Sequence, residues 1–366
     1  MNRALVVGAG AFGAWIAHAL NQRGWQITLI EQYGPANSRA SSGGETRIIR
    51  SGYGSLSLYS RWARDAMSEW LALERRVGER LFVRTGALFI GRHREWLQST
   101  EDTFRRERIA CRWLSADDFA KRLPQLSFAG ASGALFEPEA GVLFARRAVQ
   151  ALVHTLVTNG VELVAERADP QRLMRRNGHD ALIFAAGAWL PRLFPALLQD
   201  AIFPTRQEVF FFGPPPGDQR FSPARLPAWV AFEEGIYGVP DLEHRGVKIA
   251  VDAHGEEADP EGMDRVVSAE SVARMREILR RHMPALADAP LLETRVCQYE
   301  NTTNGHLLID RLPGHDNVWI AGGGSGHGFK HGPMVGRYVA DLVEGTIEAE
   351  PVFRLAGRPV RARAVY

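Results

Sequence analysis

The first residues with a chemical signature lie at the start of the chain. Gly8-Ala9-Gly10-Ala11-Phe12-Gly13 is a G-x-G-x-x-G run set directly after the apolar segment Arg3–Val7. A helical pattern follows through Phe12, Ile16, Ala19 and Leu20, with Gly24 placed to end it. A second apolar segment, Gln26–Ile30, then runs into Glu31. Strand, glycine run, helix, strand and acid, in that order, match the dinucleotide-binding pattern, with a glycine-rich turn in an unrelated α/β protein as the plain alternative. Gly8 allows the tight turn, Gly10 lets the backbone approach a pyrophosphate, and Gly13 lets the helix pack on the strand. Free N–H groups around Ala11 and Phe12, at the helix start, favour the diphosphate. Glu31 is placed to accept from ribose hydroxyls, and its charge opposes a 2′-phosphate. The pattern alone does not separate FAD from NAD.

Lysine usage gives a second signal. Only Lys121, Lys248 and Lys330 are lysine, and the other 41 of the 44 Lys and Arg residues are arginine. Each lysine is therefore a candidate for work that arginine cannot do. Lys330 ends the glycine-rich stretch 322–330, where backbone can approach a ring system. Lys248 sits in an apolar strand pattern, and a solvated face is the plain reading there. Arg47 and Arg50 lie in a stretch rich in Ser, Gly and Arg. A guanidinium binds a carboxylate through two hydrogen bonds, and an ammonium adds a point charge. Surface charge is the plain alternative for both arginines.

The two cysteines, Cys111 and Cys297, make neither a disulfide framework nor a metal site. No metal is expected. A lone cysteine reads first as a buried, inert one. Arg295, two residues from Cys297, is a cation of the kind that stabilises thiolates.

Five segments, in order along the chain, resemble the monomeric sarcosine oxidase and N-methyltryptophan oxidase family, a branch of the D-amino-acid-oxidase-like flavoproteins. They are the N-terminal G-A-G-A-F-G, then G-E-T-R-I-I-R ending at Arg50, then F-E-P-E-A-G-V-L starting at Phe136. The last two are A-A-G-A-W ending at Trp189, and Cys297-Gln298-Tyr299 followed by S-G-H-G-F-K ending at Lys330. The resemblance implies FAD, attached by a thioether from the flavin 8α-methyl group to Cys297. It assigns cofactor contacts to Gly8, Gly10, Ala11, Phe12, Gly13 and Glu31. It adds Ser42, Gly44, Thr46, Arg47, Ala168, Gly187 and Trp189. It also adds Gly324, Gly326, His327, Gly328, Phe329 and Lys330.

The same resemblance gives the substrate carboxylate to Arg50 and Lys330. It places Lys248 where O2 is reduced, because a fixed cation stabilises superoxide. Tyr299 and Tyr237 become pocket walls, with ordinary aromatic packing as the alternative. The implied activity is oxidation of a secondary amino acid, N-alkyl or cyclic, to an imine, with O2 reduced to hydrogen peroxide. Two positions depart from the family pattern. Asp252 stands where the family has a histidine, with His254 displaced by two, and Gly43 replaces a second histidine. Asp252 either holds a cationic group of the substrate or points into solvent. An FAD dehydrogenase using another acceptor, a flavin binder without turnover and an NAD-dependent dehydrogenase remain open.

These residues need elements to hold them. Helical spacing covers 61–75, 96–123, 147–158, 269–281 and 336–343. Strand-like segments are 82–91 (irregular at Thr85-Gly86), 161–165, 181–186, 207–212, 237–239, 247–251 and 318–321. The stretch 38–50 reads as a loop. The expected fold is mixed α/β: a discontinuous Rossmann-like FAD-binding domain over 1–81, 136–199 and 290–366, with an inserted β-rich substrate domain over 82–135 and 200–289.

Composition agrees with a soluble globular protein. Of 366 residues, 45% are hydrophobic and 23% charged, which is ordinary for a globular chain. The net charge of +2 gives no basis for nucleic-acid binding. No apolar run approaches the roughly 20 residues that span a bilayer. Gly8 and Gly10 interrupt anything like a signal sequence. A cytoplasmic monomer acting on a small molecule, without a membrane partner, is expected.

Overall fold

Strand β1 (Arg3–Val7), helix α1 (Ala11–Gln22) and strand β2 (Gln26–Ile30) form the βαβ unit expected at the N-terminus. They are seen in a computed structural model that describes residues 1–358. β1 is central in a six-stranded sheet. The order is Leu308–Arg311, Val318–Gly322, Ala181–Phe184, β1, β2, Glu162–Val164. All neighbours run parallel except Leu308–Arg311. The inner strands are apolar almost throughout, because helices and loops cover both faces. On one face α1 crosses the helix Gly332–Val343. A Cβ on Gly336 would overlap the Trp15 carbonyl oxygen, so the two helices meet backbone to backbone.

A second, eight-stranded sheet is mixed. Its order is Leu291–Thr302, Ile202–Phe212, Val247–Val251, Ile236–Val239, Ala228–Ala231, Ala87–Gly91, Gly133–Glu137, Arg112–Ser115. In a small third sheet Gly141–Phe144 pairs with Thr46–Ile49 and with Phe82–Val83. The helix Ser57–Val77 buries Trp62, Ala66, Trp70 and Leu73, and ends at Gly78 in the left-handed region.

Several local expectations change. The stretch 38–50 contains the strand Thr46–Ile49, because Gly141–Phe144 offers it a partner. The segment 96–123 is not one helix. Arg94–Glu107 ends at Arg108 with φ +56°, and Arg112–Ser115 then pairs with Gly133–Glu137. The irregularity at Thr85-Gly86 is a full break, with Gly86 at φ +71°. The stretch 291–302, counted with the Rossmann-like domain, is a strand that no periodicity marked. It pairs instead along Ile202–Phe212, from Leu291 to Thr302. Gly133–Glu137 likewise crosses the expected boundary at 136. Among the described residues, no helix is long and apolar enough to cross a membrane.

Candidate active site

A long cleft opens at the C-terminal ends of β1 and β2. Gly8 sits at φ +102°, and a Cβ there would overlap the Ala185 carbonyl. Gly13 is not on the cleft wall but beneath the turn, against the Gly8 carbonyl oxygen. Gly10 is the extended N-cap of α1 and no side chain caps it. The first N–H groups of α1, around Ala11 and Phe12, are thus left for a ligand. Glu31 Oε2 accepts from Ala9 N at 3.0 Å, and Oε1 accepts from Tyr33 N at 2.9 Å. Ala168, Gly187 and Trp189 line the far side, and Ser42 lies nearby. Trp189 Nε1 and the Tyr33 hydroxyl both donate to Glu261 at 2.7 Å. These bonds hold the Glu261 carboxyl below its usual range.

A second cavity adjoins the first. Arg47, Cys297, Tyr299, Gly326 and Phe329 line both. Beyond this seam the second cavity holds Arg50, Lys330, Lys248, Tyr237 and Asp252. Lys330 Nζ donates to the Tyr53 hydroxyl at 2.7 Å and to the His327 carbonyl at 2.8 Å. Burial, then the nearby Arg50 charge, pushes the Lys330 ammonium well below its ordinary pKa. Arg50 lies 4.8 Å from the Tyr53 ring centre and 4.9 Å from that of Phe232, and donates to Gly52 O.

Lys248 is not on a solvated face; it is 3% exposed. Its Nζ donates to Thr46 O at 3.0 Å and lies 5.3 Å from the Tyr237 ring centre. Burial first, and Arg47 second, lower its pKa to about 7. Thr46 thus serves Lys248 rather than the cleft. Gly44 packs on the Arg47 guanidinium. The Tyr299 hydroxyl donates to Asp252 Oδ1 at 2.9 Å. Cys297 is half-buried, and Arg47 Nη2 donates to its Sγ at 3.5 Å. The cation in contact with the sulfur is therefore Arg47. Arg295 is engaged by Glu45 at 2.9 Å and by Glu293.

Gly324, Gly326 and Gly328 pack closely, with Gly326 at φ +77° against the Tyr299 ring and Gly328 against Phe12. His327 points away from the cleft, its Nδ1 3.1 Å from the Tyr53 hydroxyl. Sequence reasoning passed over Tyr53, His331, Glu137 and Glu300. Glu137 is buried, and both its oxygens accept from Ser51 N, at 3.1 and 2.8 Å. Its place in the F-E-P segment was the one signal available. Glu300 lines the cleft, and burial raises its carboxyl to about 7.

A family model described as "FAD dependent oxidoreductase" (DAO) matches residues 3–342. The chain belongs to the DAO family of FAD-dependent oxidoreductases. Monomeric sarcosine oxidase from Bacillus sp. (strain B-0618) is 30% identical over 357 residues, covering 92% of this chain and 91% of that protein. N-methyl-L-tryptophan oxidase from Salmonella arizonae is 26% identical, covering 96% of each. Among solved structures, Aspergillus fumigatus fructosamine oxidase (Amadoriase II) superposes with a TM-score of 0.80 at 23% identity, covering 99% of this chain and 92% of that one. L-Proline dehydrogenase from P. horikoshii gives 0.79 at 20% identity, covering 97% and 96%. These two likenesses concern the fold.

FAD, the cofactor of the DAO family, suits the residues present. The uncapped start of α1 offers donors to a diphosphate. The Ser41 hydroxyl is buried on the cleft wall without a partner, as is Glu300 Oε1. Orphaned buried polar atoms are costly unless a ligand completes them. A ring system reaching the seam would lie between Cys297 and the glycine run 324–328.

Proposed function

We propose that this DAO-family enzyme oxidises a secondary amino acid, N-alkyl or cyclic, at its C–N bond, giving an imine and reducing O2 to hydrogen peroxide. The observation that carries this reading is the pair of buried cations past the seam. Arg50 and Lys330 are 7% and 4% exposed, and neither makes an ion pair with a described carboxylate. Two buried cations with no direct ion pair, and only the more distant charges of Asp252 and Glu137 acting on Lys330, favour an anionic ligand. A carboxylate there receives a guanidinium and an ammonium in a site with little water.

Bound FAD supplies hydride acceptance and the return of electrons to O2. The chain's own residues do the rest. Arg50 and Lys330 fix the carboxylate, so the carbon bearing the amine is held toward the seam. Tyr299 and Tyr237 wall the cavity and exclude water. Lys248 holds a positive charge close to the seam at neutral pH and below, where reduction of O2 develops negative charge. Cys297, touched by the Arg47 guanidinium, is the attachment point in this reading. Gly8, Gly10, Ala11, Phe12, Glu31, Ser42, Ala168, Gly187 and Trp189 serve the dinucleotide, and the run from Gly324 to Phe329 serves the ring. The division into a cofactor unit and a substrate unit belongs to the same proposal, with 291–302 assigned to the substrate unit. So does a monomeric, cytoplasmic enzyme.

The test is a panel of N-methyl and cyclic amino acids on purified yellow enzyme, with flavin bleaching and peroxide both followed. Bleaching under nitrogen with peroxide in air is the expected result. Bleaching without peroxide would make it a dehydrogenase. No bleaching by any amine would remove the reading.

A further inference from the structure

The second cavity holds charges of both signs. Its walls carry Arg50 and Lys330, both deeply buried. They also carry Asp252, directly after Val251, the exposed last residue of the strand Val247–Val251, and near enough to Lys330 for its charge to oppose the lowering of that ammonium's pKa. Asp252 is half-buried and lines the cavity. Its one side-chain partner is the Tyr299 hydroxyl, and it makes no ion pair among the described residues. Glu208 lines the same cavity, but Arg206 already neutralises it at 2.5 Å. Asp252 is thus the cavity's free acid.

Beside it stands a second unfinished group. His254 lines the cavity, and its Nε2 is buried without a hydrogen-bond partner. Burial lowers the His254 pKa, so the ring is neutral near pH 7 and can accept a hydrogen bond. A carboxylate with a spare oxygen and an imidazole with a spare nitrogen suit a multi-donor cation. The Tyr299 ring on the same wall adds a face that attracts positive charge.

We propose that the substrate carries a second basic nitrogen beyond the reacting amine, an ammonium or guanidinium held by Asp252 and His254 while its carboxylate meets Arg50 and Lys330. This rests on the amino-acid oxidase reading and names its substrate class. The reacting amine is not the group that Asp252 holds. That amine is one carbon from the carboxylate, on the carbon that Arg50 and Lys330 hold toward the seam. A carboxylate beside it would also favour the protonated amine, which has no lone pair to support hydride loss.

The experiment compares three Nα-methyl amino acids of similar length on the yellow holoenzyme: Nα-methyl-lysine, Nα-methyl-norleucine and Nα-methyl-glutamate. Rates come from anaerobic flavin bleaching, and binding from perturbation of the flavin absorbance. The lysine analogue should exceed the norleucine analogue at least about tenfold in kcat/KM, with the glutamate analogue last. Asp252→Asn keeps an oxygen for Tyr299 and removes the charge, so the lysine-to-norleucine ratio should fall toward one. Equal ratios in the wild type, or a preference for norleucine, would overturn the proposal. So would an Asp252→Asn enzyme that slows all three by one factor, since Asp252 would then serve the reacting amine or the fold. If nothing bleaches, the oxidase reading fails, and binding still decides the charge preference. Tighter binding of the lysine analogue supports it, and equal binding overturns it.

Discussion

Lys330 Nζ donates to the Tyr53 hydroxyl at 2.7 Å, and that hydroxyl lies 2.8 Å from His331 Nε2 and 3.1 Å from His327 Nδ1. An ammonium has only donors, so the Tyr53 oxygen accepts from it and its own proton goes to a histidine. Burial, and then the Lys330 charge, lower the pKa values of both histidines well below the usual range. Neutral rings can take that proton. Lys330 is therefore aimed by a tyrosine that no sequence motif marks.

Tyr53→Phe removes the shared hydroxyl. Lys330 keeps the His327 carbonyl, but His331 Nε2 loses its partner in a buried site. Leaving such a group unsatisfied costs about 1–3 kcal/mol. The urea midpoint should fall accordingly, and KM for a carboxylate substrate should rise more than kcat falls. An unchanged midpoint with unchanged KM would show that Tyr53 does not position Lys330.

Gly13→Ala tests the cofactor turn. The new methyl would overlap the Gly8 carbonyl oxygen. Backbone cannot yield there as a side-chain tip can, so α1 must shift away from the diphosphate position. FAD affinity should drop at least about tenfold, equivalent to 1.4 kcal/mol. Titration of FAD into apoprotein carrying Cys297→Ser, with and without Gly13→Ala, measures it free of covalent attachment. An unchanged titration would place the diphosphate elsewhere.

Cys297→Ser tests attachment. Acid precipitation of the wild type should leave the yellow colour in the pellet, and the variant should release it to the supernatant. Arg47→Met keeps the sulfur and removes the cation 3.5 Å from it. Attachment should then be slow, with acid-soluble flavin dominating early and declining over time. Colour in the wild-type supernatant would end the covalent reading.

The parts legible in the sequence were those with a period or a backbone requirement. Arg3–Val7, Gly8, Gly10, Gly13 and Glu31 form a local unit, and local geometry decides it. Lys248 and Lys330 were legible because arginine had taken every other cationic position but Lys121. What escaped was decided by distant partners. Thr46–Ile49 looks like loop until Gly141–Phe144 pairs with it. Leu291–Thr302 could join either sheet, and only the long register with Ile202–Phe212 decides. Tyr53 and His331 are separated by most of the chain, and hydrogen bonds between such residues leave no spacing to read. Arg295 misled because sequence proximity to Cys297 is not contact; Glu45 holds it instead.

Glu137 makes a prediction about pH. It is buried beneath Ser51, next to Arg50. Burial raises its carboxyl to about 7, against the opposing pull of the Ser51 N–H, Arg50 and Lys330. A raised carboxyl holds its proton more tightly folded than unfolded. Its stabilising contribution is full below the unfolded value near 4.5 and is lost as pH rises through about 7. The loss amounts to about 3 kcal/mol across that window, by the usual conversion of pKa to free energy. Glu137→Gln keeps one acceptor for Ser51 and cannot ionise. Urea unfolding of substrate-free enzyme at pH 5 and pH 8 should therefore show a smaller difference in the variant. Its advantage over wild type should appear at pH 8 and vanish near pH 5. Parallel curves for the two proteins would mean that Glu137 stays ionised in the fold, neutralised by Arg50 and Lys330. Those cations would then be less available to a substrate carboxylate.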